Sequence, residues 1–123
     1  MRRNNRWYTA EVLHGDGEGR KIGYPTVNLD PKGIPIPVEN GVYACKIKVE
    51  NVMYDGALFY GQRLVKNEKN VVLEIHIIRF DGDLYGKNIT FQIGPYVREI
   101  KMFATMDALR KQIAKDIAII APF

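Results

Sequence analysis

The sequence predicts a mainly β fold, a small barrel or sandwich, with one α-helix packed on it at the C-terminal end. Three observations predict this. Apolar and polar residues alternate through most of the chain, as half-buried strands require. Clusters of Gly, Asn and Asp interrupt the alternation at short intervals. The period lengthens to that of a helix only near the C-terminus.

The elements follow in order. Trp7 to Leu13 reads as the first strand. A glycine-rich stretch follows, and then Asp30 to Asn40, where Pro31, Pro35 and Pro37 argue against a helix. Asn40-Gly41 is a turn signal. From Val42 to Val49 two sets alternate, and the more apolar set, Tyr43, Cys45, Ile47 and Val49, should face the core. Glu50-Asn51 is a tight connection to a strand over Val52 to Tyr60. Val71 to Phe80 is a strong β-run, turned by Asp81-Gly82-Asp83. Asn88 to Ile93 is a further short strand. Met106, Leu109, Ile113, Ile117 and Ile120 then mark one helical face. Thr105 is placed to cap that helix, which is predicted over 105–121, and Asp107 lies in its first turn. Pro122 stands beyond its last turn.

The bulk numbers exclude several classes. A chain of 123 residues fits one domain over 1–123. No apolar run is long enough to span a membrane, so no membrane association is expected. The basic start, MRRNNRWYTA, lacks the apolar run of a secretory signal, and residues 1–5 are expected to form a disordered tail. Cys45 is alone and sits in a strand pattern, which predicts a buried, inert thiol. These features fit the cytoplasm. The net charge of +4 owes most to Arg2, Arg3 and Arg6, and no basic stripe argues for a nucleic-acid partner. The Asn88-Ile89-Thr90 sequon is incidental without secretion. His14 and His76 lack the spacing and partners of a zinc site. His76 shares a strand face with Glu74 by the period of two, where it either tunes that carboxylate or simply packs.

A barrel does not account for residues 14–29, HGDGEGRKIGYPTVNL. Gly15, Gly17 and Gly19 would let backbone N–H groups approach an anion, and Arg20 adds charge beside them. A flexible surface hairpin is the plain alternative. The stretch matches neither a Walker motif nor a dinucleotide fingerprint. Thr26 and Asn28 would share one face of an extended chain. Their neutral oxygens suit Mg²⁺ held partly by substrate phosphates, or they stabilise a turn. Glu74 stands in the otherwise aliphatic run VVLEIHII. There a carboxylate needs a solvent face or a task.

The run G-x-G-x-G-R-x-I-G-Y-P-T-x-N resembles the signature of bacterial and eukaryotic riboflavin kinases, including the kinase module of bifunctional FAD synthetases. The resemblance continues through Gly41-Val42-Tyr43-Ala44, Leu73-Glu74-Ile75-His76, Phe80-Asp81-Gly82-Asp83-Leu84-Tyr85-Gly86-Lys87 and the C-terminal helix, so it covers nearly the whole chain. It implies a six-stranded Greek-key β-barrel with a C-terminal helix. It implies transfer of the γ-phosphate of ATP to the 5′-hydroxyl of riboflavin, giving FMN and ADP. By the same resemblance Glu74 is the catalytic base, and Thr26 and Asn28 are metal and phosphate ligands. Gly15, Gly17, Gly19, Arg20, Pro25 and Tyr85 would lie along the nucleotide and Arg98 along the flavin, while Tyr96 either stacks on the flavin ring or is a core or barrel-mouth tyrosine. The implied ion is Mg²⁺, or another divalent such as Zn²⁺ or Mn²⁺. The implied partners are the small molecules alone, bound by a monomer.

Two stretches depart from the family pattern. Relatives carry N-x-G-x-R-P-T-F where this chain has Tyr60-Gly61-Gln62-Arg63-Leu64-Val65. They carry R-x-E where this chain has Arg98-Glu99-Ile100. Both fall on the flavin side and leave the phosphate residues intact. With no adenylyltransferase segment in these residues, the reaction is expected to stop at FMN. The alternatives are a non-catalytic flavin- or nucleotide-binding barrel, and an excised kinase domain of a bifunctional FAD synthetase.

Overall fold

The computed structural model describes residues 6–14, 23–34, 36, 38–62 and 71–122. Among the described residues there are six antiparallel strands and one α-helix: β1 (Trp7–Glu11), β2 (Val27–Leu29), β3 (Gly41–Val49), β4 (Val52–Gln62), β5 (Val71–Ile77), β6 (Asn88–Arg98) and α1 (Met106–Ile120). The sheet order is β1-β6-β3-β4-β5-β2. Strands β3, β4 and β5 run as a meander and β6 returns beside β3, which is the Greek-key order.

Local chemistry explains the hairpins. Glu50 and Asn51 both take positive φ, 49° and 71°, and so form the two-residue turn whose twist matches the flanking strands. The expected β3 alternation holds, with Tyr43, Cys45, Ile47 and Val49 all in the core. Phe91, Ile47, Leu58, Leu73, Ile75 and Ile89 are the largest fully buried side chains. Gly56 is required by close approach: a Cβ there would press on the Ile47 side chain and lie 3.0 Å from the His76 carbonyl oxygen.

The sheet curls into an open half-barrel. Its two outer strands, β1 and β2, do not form a ladder with each other. Just past β1, Leu13 bridges to Asn28, with Leu13 N–H donating to the Asn28 carbonyl at 2.7 Å.

Several sequence expectations change here. The first strand ends at Glu11 and not Leu13. The fifth ends at Ile77, because Arg79 takes a φ of 63° and turns the chain early. The fourth extends to Gln62. The sixth runs on from Ile93 to Arg98, through Gly94-Pro95, because register shifts against β3 absorb residues that a regular ladder could not. Pro95 is tolerated at such an irregularity, where no ladder N–H is needed. A one-turn 3₁₀ helix forms at Pro31–Gly33 despite the prolines. Proline is compatible with a first turn, and Asp30 caps this one by accepting from Lys32 N–H at 2.9 Å.

Helix α1 begins where expected. Thr105 Oγ1 accepts from Ala108 N–H at 3.1 Å. Its apolar stripe is only half-buried, and Met106 is exposed. The buried residue of the helix is instead Asp116. Arg98, at the end of β6, donates to it through Nε at 2.9 Å and Nη2 at 2.9 Å, and Gln112 Nε2 adds a third donor at 3.0 Å. The Arg98 and Asp116 side chains are 13% and 3% exposed, so this ion pair is shielded from solvent.

Two outcomes follow for stability. Asp116→Ala will destabilise by about 3–5 kcal/mol, because it strands the Arg98 charge. The double variant Arg98→Met, Asp116→Leu will recover much of that loss in urea titrations. Cys45 is fully buried, which pushes its thiol far above the ordinary range. The folded chain therefore keeps a proton that the unfolded chain releases above about pH 8.5. Stability will fall as pH rises past that point, and Cys45→Ala will show a shallower fall between pH 8 and 10.

Candidate functional site

Strand β2 is short, but its register decides the site. It pairs with β5 as Val27↔Ile75, Asn28↔Glu74 and Leu29↔Leu73. Leu29, Leu73 and Ile75 point into the core and hold the pairing. Asn28 and Glu74 therefore share the opposite face, directly across from one another, with Cβ atoms about 5 Å apart. Both are half-buried. Thr26, two residues before Asn28, is also half-buried. On β5 the same face carries His76, two residues past Glu74. Its Nδ1 lies 2.8 Å from the Pro25 carbonyl oxygen, and the Tyr24 ring meets it edge-on at 5.4 Å.

The row continues across the sheet. Glu74 faces Phe59 on β4, Phe59 faces Val42 on β3, and Val42 faces Arg98 on β6. Val42 and Tyr43 are both buried although they point to opposite faces, so the outer face is covered at this point. Helix α1 packs against β4 and is tied to Arg98.

A second group adjoins Asn28 through the backbone. Val12 N–H donates to the Lys87 carbonyl at 2.9 Å, and Gly86 N–H donates to the Val12 carbonyl at 2.9 Å. These bonds fasten the Leu84–Lys87 turn to the segment that bridges Asn28. Tyr85 is thereby stacked on His14, with ring centroids 3.5 Å apart, and stays half exposed. His14 is the residue before the glycine-rich run. Gly15, Gly17, Gly19 and Arg20 lie outside the described residues, as do Arg63 to Val65 and residues 1–5.

Tyr96 and Arg98 stand apart from the group around Asn28 and Glu74. Tyr96 is exposed, with one ring edge against Tyr43 at 5.5 Å. Tyr43 donates to the Glu39 carbonyl at 2.6 Å, and burial first, then Glu39 and Tyr96, push its hydroxyl above the usual tyrosine range. Arg98 gives donors to Asp116 and to the Glu99 carbonyl, and its guanidinium lies over Phe103.

The donor chemistry around Asn28 fits a divalent ion whose shell is completed by a bound phosphate compound. Thr26 and Asn28 offer neutral hard oxygens, and Glu74 is adjacent. Among the described residues no three His, Cys, Asp or Glu side chains cluster to hold an ion by themselves. Of the residues that the sequence singles out, Asn28 and Glu74 pair across strands, Pro25 and Thr26 lie just before Asn28 in the chain, and Tyr85 is joined through His14 and backbone bonds to the segment that bridges Asn28. In the sequence His14 stands only as a rejected zinc ligand, and Tyr24 and Asp116 are not singled out. Asp116 leaves a trace, since it lies seven residues after Leu109 and so falls on the apolar stripe.

A family model described as flavokinase, riboflavin kinase, matches residues 4–122. The chain is 34% identical over 118 residues to the bifunctional riboflavin kinase/FMN adenylyltransferase of Buchnera aphidicola subsp. Schizaphis graminum, covering 94% of this chain and 38% of that protein. It is 35% identical over 111 residues to the RNA-binding riboflavin kinase RibR of Bacillus subtilis, covering 89% and 47%. The chain thus spans less than half the length of these relatives. Among solved structures it resembles a riboflavin kinase from Trypanosoma brucei, with a TM-score of 0.65 and 19% identity over 94% of this chain and 77% of that one. It also resembles a Streptococcus pneumoniae chain described as a macrolide-efflux protein, with a TM-score of 0.79 and 24% identity over 95% of this chain and 38% of that one. At these identities the structural likeness concerns the fold alone. No helix among the described residues is long and apolar enough to cross a membrane.

Proposed function

Because the chain belongs to the riboflavin kinase family, we propose that it transfers the γ-phosphate of ATP to the 5′-hydroxyl of riboflavin, giving FMN and ADP. Members of this family use ATP and typically a divalent ion. One observation carries the reading: the Asn28↔Glu74 pairing sets a carboxylate directly beside a candidate phosphate-side ligand.

In the proposed mechanism Glu74 accepts the proton of the 5′-hydroxyl as that oxygen attacks the γ-phosphorus. The new O–P bond forms as the bond from the γ-phosphorus to the β–γ bridging oxygen breaks, and ADP departs with the electron pair. A carboxylate suits this task because the alcohol is a weak nucleophile until it loses its proton. Thr26 and Asn28 would hold a divalent ion, proposed as Mg²⁺, which offsets charge on the phosphates. Gly15, Gly17, Gly19, Arg20 and Pro25 are assigned to the phosphates, and Tyr85 to the nucleotide. Tyr96 and Arg98 are assigned to the flavin. Tyr96 offers an exposed ring there, and Arg98 anchors the helix that borders it. The chain is proposed to act as a single cytoplasmic domain and a monomer, without a nucleic-acid partner.

The expected result with riboflavin, ATP and Mg²⁺ is FMN and ADP, resolved by chromatography. Glu74→Gln will lower kcat by about 10²-fold or more, a typical loss for a general base, with Mg²⁺·ADP binding retained. Full activity of that variant would remove Glu74 from the role. Flavin binding without FMN formation, across Mg²⁺, Mn²⁺ and Zn²⁺, would favour a non-catalytic barrel instead. Asn28→Ala will raise the Mg²⁺ concentration needed for half-maximal rate, by roughly tenfold for one lost oxygen ligand.

A further inference from the structure

We propose that His76 is a positioning residue that sets Thr26 beside the Asn28–Glu74 pair by clamping the Pro25 carbonyl; this rests on the phosphate-transfer reading above. The β2–β5 ladder ends at Val27↔Ile75. Continued in the same register, Thr26 would face His76 and Pro25 would face Ile77. The regular ladder stops there, and Pro25 has no N–H with which to extend it. The chain leaves the sheet at the point where Thr26 must be aimed. The His76 side chain holds it there, with Nδ1 2.8 Å from the Pro25 carbonyl oxygen.

A carbonyl oxygen can only accept, so Nδ1 carries the hydrogen. The ring is steadied by the edge of Tyr24, nearly perpendicular at 87°. Its β4 neighbour is Ala57, which leaves room beside the strand. Simple packing would explain an aromatic ring at position 76. It would not explain a hydrogen bond to the backbone that introduces the two candidate ligands. The clamp spans 51 residues of sequence and joins the two segments that carry Glu74 and Thr26.

The test separates donor from ring. His76→Phe keeps a ring beside Tyr24 and removes the donor. His76→Asn places an amide N–H where Nδ1 stood. If the clamp positions the ligands, His76→Phe will weaken Mg²⁺·ADP binding by calorimetry and raise KM for ATP, each by roughly tenfold, about the worth of one hydrogen bond. Its KM for riboflavin will stay within about twofold. His76→Asn will recover most of the loss. Unchanged Mg²⁺·ADP affinity in a folded His76→Phe variant would overturn the proposal, as would equal losses in both variants. Should His76→Phe fail to fold, long-range ¹⁵N NMR of the wild-type protein decides. A neutral ring protonated at Nδ1 supports the clamp, and one protonated only at Nε2 overturns it. Failure of the kinase reading itself looks different: the wild-type protein would form no FMN.

Discussion

The three-residue pairing of β2 with β5 is the constraint on which the site depends. A strand that short contributes few hydrogen bonds of its own. Its register is held by Leu29 entering the core against Leu73, beside Ile75. A slip of one residue would turn Leu29 outward and move Asn28 inward, so the apolar face enforces the polar one. The Asn28↔Glu74 juxtaposition is therefore a by-product of core packing. The Leu13 bridge adds a second hold from the other side, and it brings the His14–Tyr85 stack to the same end of the half-barrel.

The far end of the row is built differently. Here the irregular register between β3 and β6 lets a strand containing Pro95 continue to Arg98. Arg98 then fastens the C-terminal helix through Asp116. A shielded, multiply bonded ion pair is costly to break from one side only, so it orients the helix more than it stabilises the fold. The half-buried apolar stripe of α1 is consistent with this division: hydrophobic contact is modest, and the polar network gives direction.

Much of this was legible in the sequence where local chemistry decides structure. The β3 alternation, the Glu50-Asn51 turn and the Thr105 cap each depend on neighbours within a few residues. The β6 extension was not legible, because Gly94-Pro95 reads as a breaker unless a long-range bulge absorbs it. Strand β2 was visible only as an extended chain, since three residues carry no periodicity. For the site, residue type picked out Thr26, Asn28 and Glu74, but the pairing of Asn28 with Glu74 is a matter of register between segments far apart in sequence. Asp116 was passed over for the same reason, and His76 was read only as sharing the Glu74 face. Each has a partner that sequence spacing does not reveal, although a carboxylate on an apolar helical stripe was a signal in plain view.

The spatial claim at the centre of this picture is that one carboxylate and two neutral oxygens face a common reacting group. A crystal structure with a non-hydrolysable ATP analogue, Mg²⁺ and riboflavin measures this directly. The Glu74 carboxylate should lie within hydrogen-bond reach, about 2.6–3.2 Å, of the riboflavin 5′-hydroxyl. Thr26 and Asn28 oxygens should face the ion and the phosphates. A 5′-hydroxyl placed beyond reach of Glu74, or phosphates seated away from Thr26 and Asn28, would contradict it.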